Sequence, residues 1–339
     1  MTARVRTLLI AMVTAFAVLA HAAAQEGAAV TSAPTHLLVV DKSAGQLVGV
    51  DLASGDVAWR VDVGPAPHEV AAVPGTTLAL VSLYGTRGAP GSGVAVVDLS
   101  NRQVVRTIST LPLTMPHGLA VMPGTATALV TVEADDSVLS FDVAGGFTGT
   151  VYGTGQRLPH MVVVAPDGSA AFAANIVGGA VSRVDLRSGE VTSARVGAGA
   201  EGIALTPAGD ELWVGSNEEH ELHVVSPGDL ATLDVIPTCA VPIRVTAVGE
   251  SLMAVTCYRD DEVRLYGAMS HERRGNVSLP PGSFPVGTIA TADGARLFVA
   301  ATATGLVHEV DVATLSVVRT LPAGREPDGM ALVTLPPSR

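Results

Sequence analysis

The chain has 339 residues, 48% of them hydrophobic and only 15% charged, with 36 glycines and 21 prolines. That composition excludes a disordered chain, which would be less apolar, and a mainly helical one, which would carry fewer turn residues. A formal net charge of -12 argues against general nucleic-acid binding, because an acidic surface repels phosphate backbones.

The first element along the chain is a targeting segment. Arg4 and Arg6 form a positive start, Leu8 to Ala20 are apolar apart from Thr14, and Ala22-Ala23-Ala24 offers an Ala-x-Ala cleavage site. These features predict a secretory signal peptide over residues 1–24, with Gln25 as the new N-terminus and a short linker over 25–35. An uncleaved membrane anchor is the competing reading, but the apolar run falls short of the ~20 residues a spanning helix needs. No later stretch reads as a membrane span. The mature protein is therefore expected to be secreted or periplasmic, soluble and monomeric.

A repeat fills the rest. The segments PHEVAAVPG (67–75), PHGLAVMPG (116–124), PHMVVVAPDG (159–168), AEGIALTPAG (200–209), PIRVTAVG (242–249), PVGTIATADG (285–294) and PDGMALVTL (327–335) are one motif. Its second position falls on His68, His117, His160, Glu201, Ile243, Val286 and Asp328, at spacings of 49, 43, 41, 42, 43 and 42. The one long unit carries a loop insertion from Gly85 to Gly93. Each unit reads as four short strands, a to d: the motif itself, a second strand such as TALVTV or RLFVAA, a third ending near Val-Asp, and a fourth such as VVRTI. Four strands in about 40–45 residues is the period of a propeller blade. The recurrent aspartates Asp51, Asp98, Asp142, Asp185 and Asp311 sit before the c–d turn and are read as turn formers, not catalysts.

The ends of the chain complete the count. The mature N-terminus begins with a strand b, HLLVVDKSAG, and lacks a strand a; the C-terminus ends with a lone strand a, Pro327 to Leu335. One blade is therefore built from both termini, which removes exposed sheet edges. The fold predicted is an all-β, seven-bladed propeller of four-stranded blades forming a single domain over 36–339. Units of the form P-x-G-h-A-h-x-P-D-G…Y-V-T-N…V-D-h resemble the YVTN-repeat (YncE-like) propeller family, with Phe172-Ala173-Ala174-Asn175 at the signature tetrapeptide. The resemblance spans about residues 36–335. It implies the fold; it implies little about function, because propellers host many unrelated activities.

Alternating strand direction puts the start of strand a and the end of strand b on one face, so the d–a and b–c loops build one channel mouth. There the second positions form an arc: Asp328, His68, His117, His160 and Glu201, then apolar Ile243 and Val286. Imidazole with carboxylate suits a divalent metal ion, or general acid–base work. Inheritance by repeat duplication is the bland alternative. The b–c loops add Tyr84, Arg87, Glu133, Asp135, Asp136, Asn175, Asn217, Glu218, His220, Arg259, Asp260 and Asp261 to the rim. Ser270-His271-Glu272 reads as an exposed turn.

Cys239 and Cys257 are the only cysteines, and in an oxidising compartment a pair is expected to bridge. Pairing strands a and b around the turn at 248–251 sets Pro242 opposite Cys257 and Val245 opposite Ala254. Two functions fit: a module binding a small molecule or protein, with a ligand or metal site at the mouth, and a metal-assisted lyase or lactonase using His68, His117, His160 and Glu201. Lactonase-like and streptogramin-lyase-like propellers place active sites there. Nucleotide-binding and serine-hydrolase motifs are missing from the sequence.

Overall fold

The computed structural model describes residues 33–86, 88–145 and 149–335. The signal-peptide features and Arg87 lie outside them. The described residues form seven four-stranded antiparallel blades, and none of their helices is long and apolar enough to cross a membrane. The blades are numbered here from the composite one, and their inner strands all start at the repeat motif. Those strands are Pro327–Val333 (blade 1), Pro67–Ala72, Pro116–Val121, Pro159–Val164, Ala200–Leu205, Pro242–Val248 and Pro285–Ala290 (blade 7). Each touches the next, and the seventh touches the first, so the ring is closed.

The strand pattern follows from position in the blade. Second strands are covered on both faces by neighbouring blades and are mainly apolar and buried, as in the fully buried Ala170–Asn175. Outer strands face solvent on one side and alternate, as in Ser316–Pro322. The core therefore lies between blades; Trp213, Tyr266, Phe141, Phe172 and Phe298 are its largest fully buried side chains. The recurrent aspartates cap their turns. Asp51, for example, accepts the backbone N–H groups of Ala53 and Ser54, both at 2.8 Å.

Every blade carries a pairing irregularity beside the inner strand's second position. A bulge of this kind re-aims side chains. It also corrects the expected register in blade 6. Pro242 does face Cys257, but Val245 faces Val255, and Thr246 takes the place opposite Ala254. In three blades a buried hydroxyl serves the bulged N–H: Ser82 accepts from Glu69 at 3.0 Å, Thr131 from Gly118 at 2.8 Å and Thr256 from Arg244 at 2.9 Å. Two of them then donate to the next inner strand, Thr131 to the His160 carbonyl at 2.7 Å and Thr256 to that of Val286 at 3.2 Å. Inner strands approach so closely here that a Cβ on Gly287 would lie 2.1 Å from the Asp328 carbonyl oxygen. Only glycine fits there.

Two further expectations are corrected. The insertion at 85–93 is not a loop. It lengthens strands Leu78–Thr86 and Ala89–Asp98 into a projecting hairpin, pairing Gly85 with Pro90 and Thr86 with Ala89. His271 sits on a turn but is not exposed. It bridges blades 5 and 6, with Nδ1 2.8 Å from Asp234 and Nε2 2.9 Å from Glu211, its ring against Trp213.

The termini meet as the repeat count requires. Strand His36–Asp41 pairs with Pro327–Val333. Asp41, buried, accepts the N–H groups of Arg325 at 2.8 Å and Glu326 at 3.2 Å. Deleting residues 327–339 is expected to lower the melting temperature of the whole propeller in a single cooperative transition. An unchanged midpoint would show that blade 1 stands without its inner strand.

Cys239 and Cys257 are bonded, with Cα atoms 5.5 Å apart and a sequence separation of 18. Closing a loop of that size stabilises by about 3 kcal/mol in the chain-entropy account. Chemical denaturation with and without reductant checks this, and a coincident pair of curves would contradict it.

Candidate functional site

The mouth bearing the arc opens into a cavity of ≈ 400 Å³. Its floor is an ion pair that crosses the channel. Arg244 of blade 6 donates to Glu69 of blade 2 at 2.5 Å, lies 3.9 Å from Asp328, and has Met161 Sδ 3.0 Å away. Burial raises the Glu69 carboxyl, while Glu69 and Asp328 outweigh the burial of Arg244 and keep its guanidinium charged. Sequence reading missed this pair. The only signal was a long polar residue at the motif's third position, where four of the seven units have glycine: Gly118, Gly202, Gly287 and Gly329.

The histidines converge. His68 and His117 have ring centroids 4.7 Å apart, and His117 and His160 stack at 3.8 Å. Their environments nevertheless differ. His68 Nδ1 bonds its own loop, 3.1 Å from the Ala66 carbonyl, and its ring meets Tyr84 at 4.4 Å. Burial lowers its pKa, against the pull of Asp328. His117 is 4% exposed and its Nδ1 has no hydrogen-bond partner. Burial, and then the neighbouring His160 and His68, press its pKa well below the usual imidazole value, so it is neutral.

His160 is the opposite case. Its Nδ1 lies 2.5 Å from Glu133 Oε1 and its Nε2 3.4 Å from Glu201 Oε1. Burial disfavours its charge, but the hydrogen bonds to Glu133 and Glu201 prevail and push the pKa up to about 10. Both acids are held in turn. Tyr84 donates to Glu133 Oε2 at 2.6 Å, and Asn217 donates to Glu201. Glu133 opens a 3₁₀ turn, Glu133–Asp135, that fills the b–c loop of blade 3.

Of the arc, then, His68, His117, His160 and Glu201 share one cluster. Asp328 lines the same cavity but is taken up by Lys42 at 3.2 Å. Glu133, read from sequence only as one rim residue among many, groups with His117 and His160: one ligand atom from each lies within 4.8 Å of the others. Rim residues Asp135 and Asp261 instead hold backbone. Asp135 accepts from Thr114 N–H at 2.7 Å, and Asp261 from Gly282 at 2.7 Å and Phe284 at 2.8 Å.

No family model matches the chain, and no curated protein does. Solved structures do. A functionally unknown protein from Desulfotomaculum acetoxidans aligns with a TM-score of 0.72 at 12% identity, covering 89% of this chain and 100% of its own. Hydrazine synthase of Kuenenia stuttgartiensis aligns with a TM-score of 0.68 at 17% identity, covering 85% of this chain and 99% of that one. At such identities the likeness establishes the seven-bladed fold alone.

The His160 pKa sets a pH dependence. A value of about 10 in the folded state exceeds the ~6.5 of a free imidazole. The Glu133–His160–Glu201 interaction is thus fully in place below about pH 6.5 and is lost as pH rises through about 10. Metal-free protein should lose stability over that window, and His160→Gln should flatten the slope. Identical slopes for the two proteins in pH-resolved denaturation would refute the assignment.

Proposed function

We propose that the chain is an exported, YVTN-type propeller acting as a binding module, and that its channel mouth holds a divalent metal ion. The repeat units and Phe172-Ala173-Ala174-Asn175 support the family, and the basic-then-apolar leader supports export. The Cys239–Cys257 bridge fits an oxidising compartment.

One observation carries the metal reading. A buried, neutral imidazole with an unpartnered nitrogen, His117, lies stacked on a second imidazole already flanked by two carboxylates. A buried polar atom without a partner is costly, and a ligand removes that cost. The spacings sort the roles. Glu133 lies too close to His160 Nδ1 for an ion between them; a proton belongs there, and the pair is the carboxylate–histidine arrangement that orients a metal-ligating ring. His160 Nε2 and Glu201 Oε1 are 3.4 Å apart. Two ligands at ~2.0–2.1 Å from a tetrahedral ion stand ~3.4 Å apart. His160 Nε2 and Glu201 Oε1 would supply two ligands, with Glu133 behind His160 and the adjacent His117 ring as the candidate third; three protein ligands leave a tetrahedral ion one further position.

The metal-assisted lyase or lactonase reading ranks second. It draws on that open position and on a cavity of ≈ 400 Å³, within the size range of small-molecule sites.

Titrating metal-free exported protein with zinc or cobalt(II) should give one tight equivalent, with affinity rising with pH as the ion displaces a proton from His160. His117→Ala should abolish uptake; because Nδ1 has no hydrogen-bond partner, the change in melting temperature should reflect only the lost packing of the ring. Undiminished uptake by the variant, or none by the parent protein, would overturn the site.

A further inference from the structure

The cavity has two unlike sides. Opposite the histidine cluster, Ile243 and Val286 hold the second inner-strand positions of blades 6 and 7, and Tyr258 packs against them. At the rim the Phe284 ring stands 5.1 Å from that of Tyr258 and remains 37% exposed. This exposure is built into the fold. Phe284 adopts a left-handed φ of 48°, and its N–H donates to Asp261 at 2.8 Å. A bulky residue held in that region indicates that the surroundings enforce the conformation. Tyr84, Tyr258 and Phe284 thus bring three of the chain's 12 Phe, Trp and Tyr residues to one mouth.

The charges lining the cavity restrict what can enter. Lys42 is engaged by Glu326 at 3.5 Å and Asp328 at 3.2 Å, and Arg244 by Glu69 at 2.5 Å. The lysine and the arginine that line the cavity are thus already paired with carboxylates, as is His160 in the metal-free protein, so none of these side chains is free for an anionic head group. Thr302, on the apolar side, keeps a buried hydroxyl without a partner and can bond a polar atom that enters.

We infer that the mouth takes a small molecule carrying a neutral nitrogen or oxygen donor on an aromatic or branched aliphatic body. The donor fills the open position on the ion, and the body lies on Tyr258, Phe284, Ile243 and Val286. This rests on the metal reading above and adds the ligand's class to it. Recognition is split: the ion fixes one end, and apolar burial selects the other.

The test uses the full exported protein loaded with cobalt(II), whose visible spectrum reports its coordination. Imidazole and 4-phenylimidazole are the probes, equal in donor and different in body. Burying the phenyl ring should make 4-phenylimidazole bind at least about tenfold tighter, at ~25 cal/mol for each Å² of apolar surface removed from water. Phe284→Ala, at an exposed rim position, should reduce that preference, and Tyr258→Ala with Phe284→Ala should erase it. Both variants should keep the parent cobalt spectrum and imidazole affinity. Cobalt uptake with equal affinity for the two probes, or a preference that survives the double variant, overturns the ligand class and leaves the metal site standing. Failure to take up cobalt overturns both.

Discussion

The pairing of Pro327–Val333 with His36–Asp41 is the constraint on which the rest depends. It brings the last repeat motif beside the first histidine, because the inner strand of blade 1 contacts that of blade 2. Closure also fixes the channel radius. With seven inner strands touching in sequence, a glycine at the third position lets four of the seven pairs approach closely, and the longer third residues Glu69, Met161 and Arg244 are left to fill the space. The Arg244–Glu69 pair crosses that space and turns an open channel into a floored pocket. Breaking it from one side would leave a buried charge without its partner, which costs far more than a surface pair is worth.

Three histidines at one repeat position have three electrostatic states. His68 has a lowered pKa and is tied to a backbone carbonyl, His117 is neutral and unpartnered, and His160 is charged between two acids. The backbone cannot cause this difference, since each ring leaves an equivalent bulged strand. The cause lies in side chains that are not repeated: Glu133 on a 3₁₀ turn of blade 3 and Glu201 of blade 5 both reach His160 of blade 4, and Tyr84 of blade 2 steadies Glu133. The rigid ring supplies position, and the variable loops supply chemistry.

That division explains what could be read from the sequence. Spacing, Pro/Asp-Gly turns and the incomplete terminal units define blade number, composite closure and the arc, because all rest on a local motif that recurs seven times along the chain. Interactions made once leave no such pattern. The bulge that sets Val245 opposite Val255 has no residue signature, since it arises from the shared packing of inner strands. The Gly85–Gly93 segment reads as a loop from its Gly and Pro content, yet it pairs as a hairpin once the flanking strands are in register. His271 reads as an exposed turn residue because its partners, Glu211 and Asp234, belong to another blade. Arg244 and Glu69 lie 175 positions apart, and only the closed ring joins them.

Duplication of an ancestral unit accounts for three Pro-His pairs and predicts that they share surroundings. They do not. Inheritance gives no reason for Glu133 to stand 2.5 Å from one imidazole and Glu201 3.4 Å from its other nitrogen, while the adjacent ring keeps a buried nitrogen without a partner. A histidine retained only for packing would be replaceable by an apolar side chain of similar size, and blades 6 and 7 carry such residues at this position, Ile243 and Val286. Blades 2 to 4 instead keep rings that cost desolvation energy. The polar side of the mouth therefore reads as a set of imidazole and carboxylate groups that run against the packing preference of the repeat. The apolar side is what that same repeat position looks like when packing alone decides.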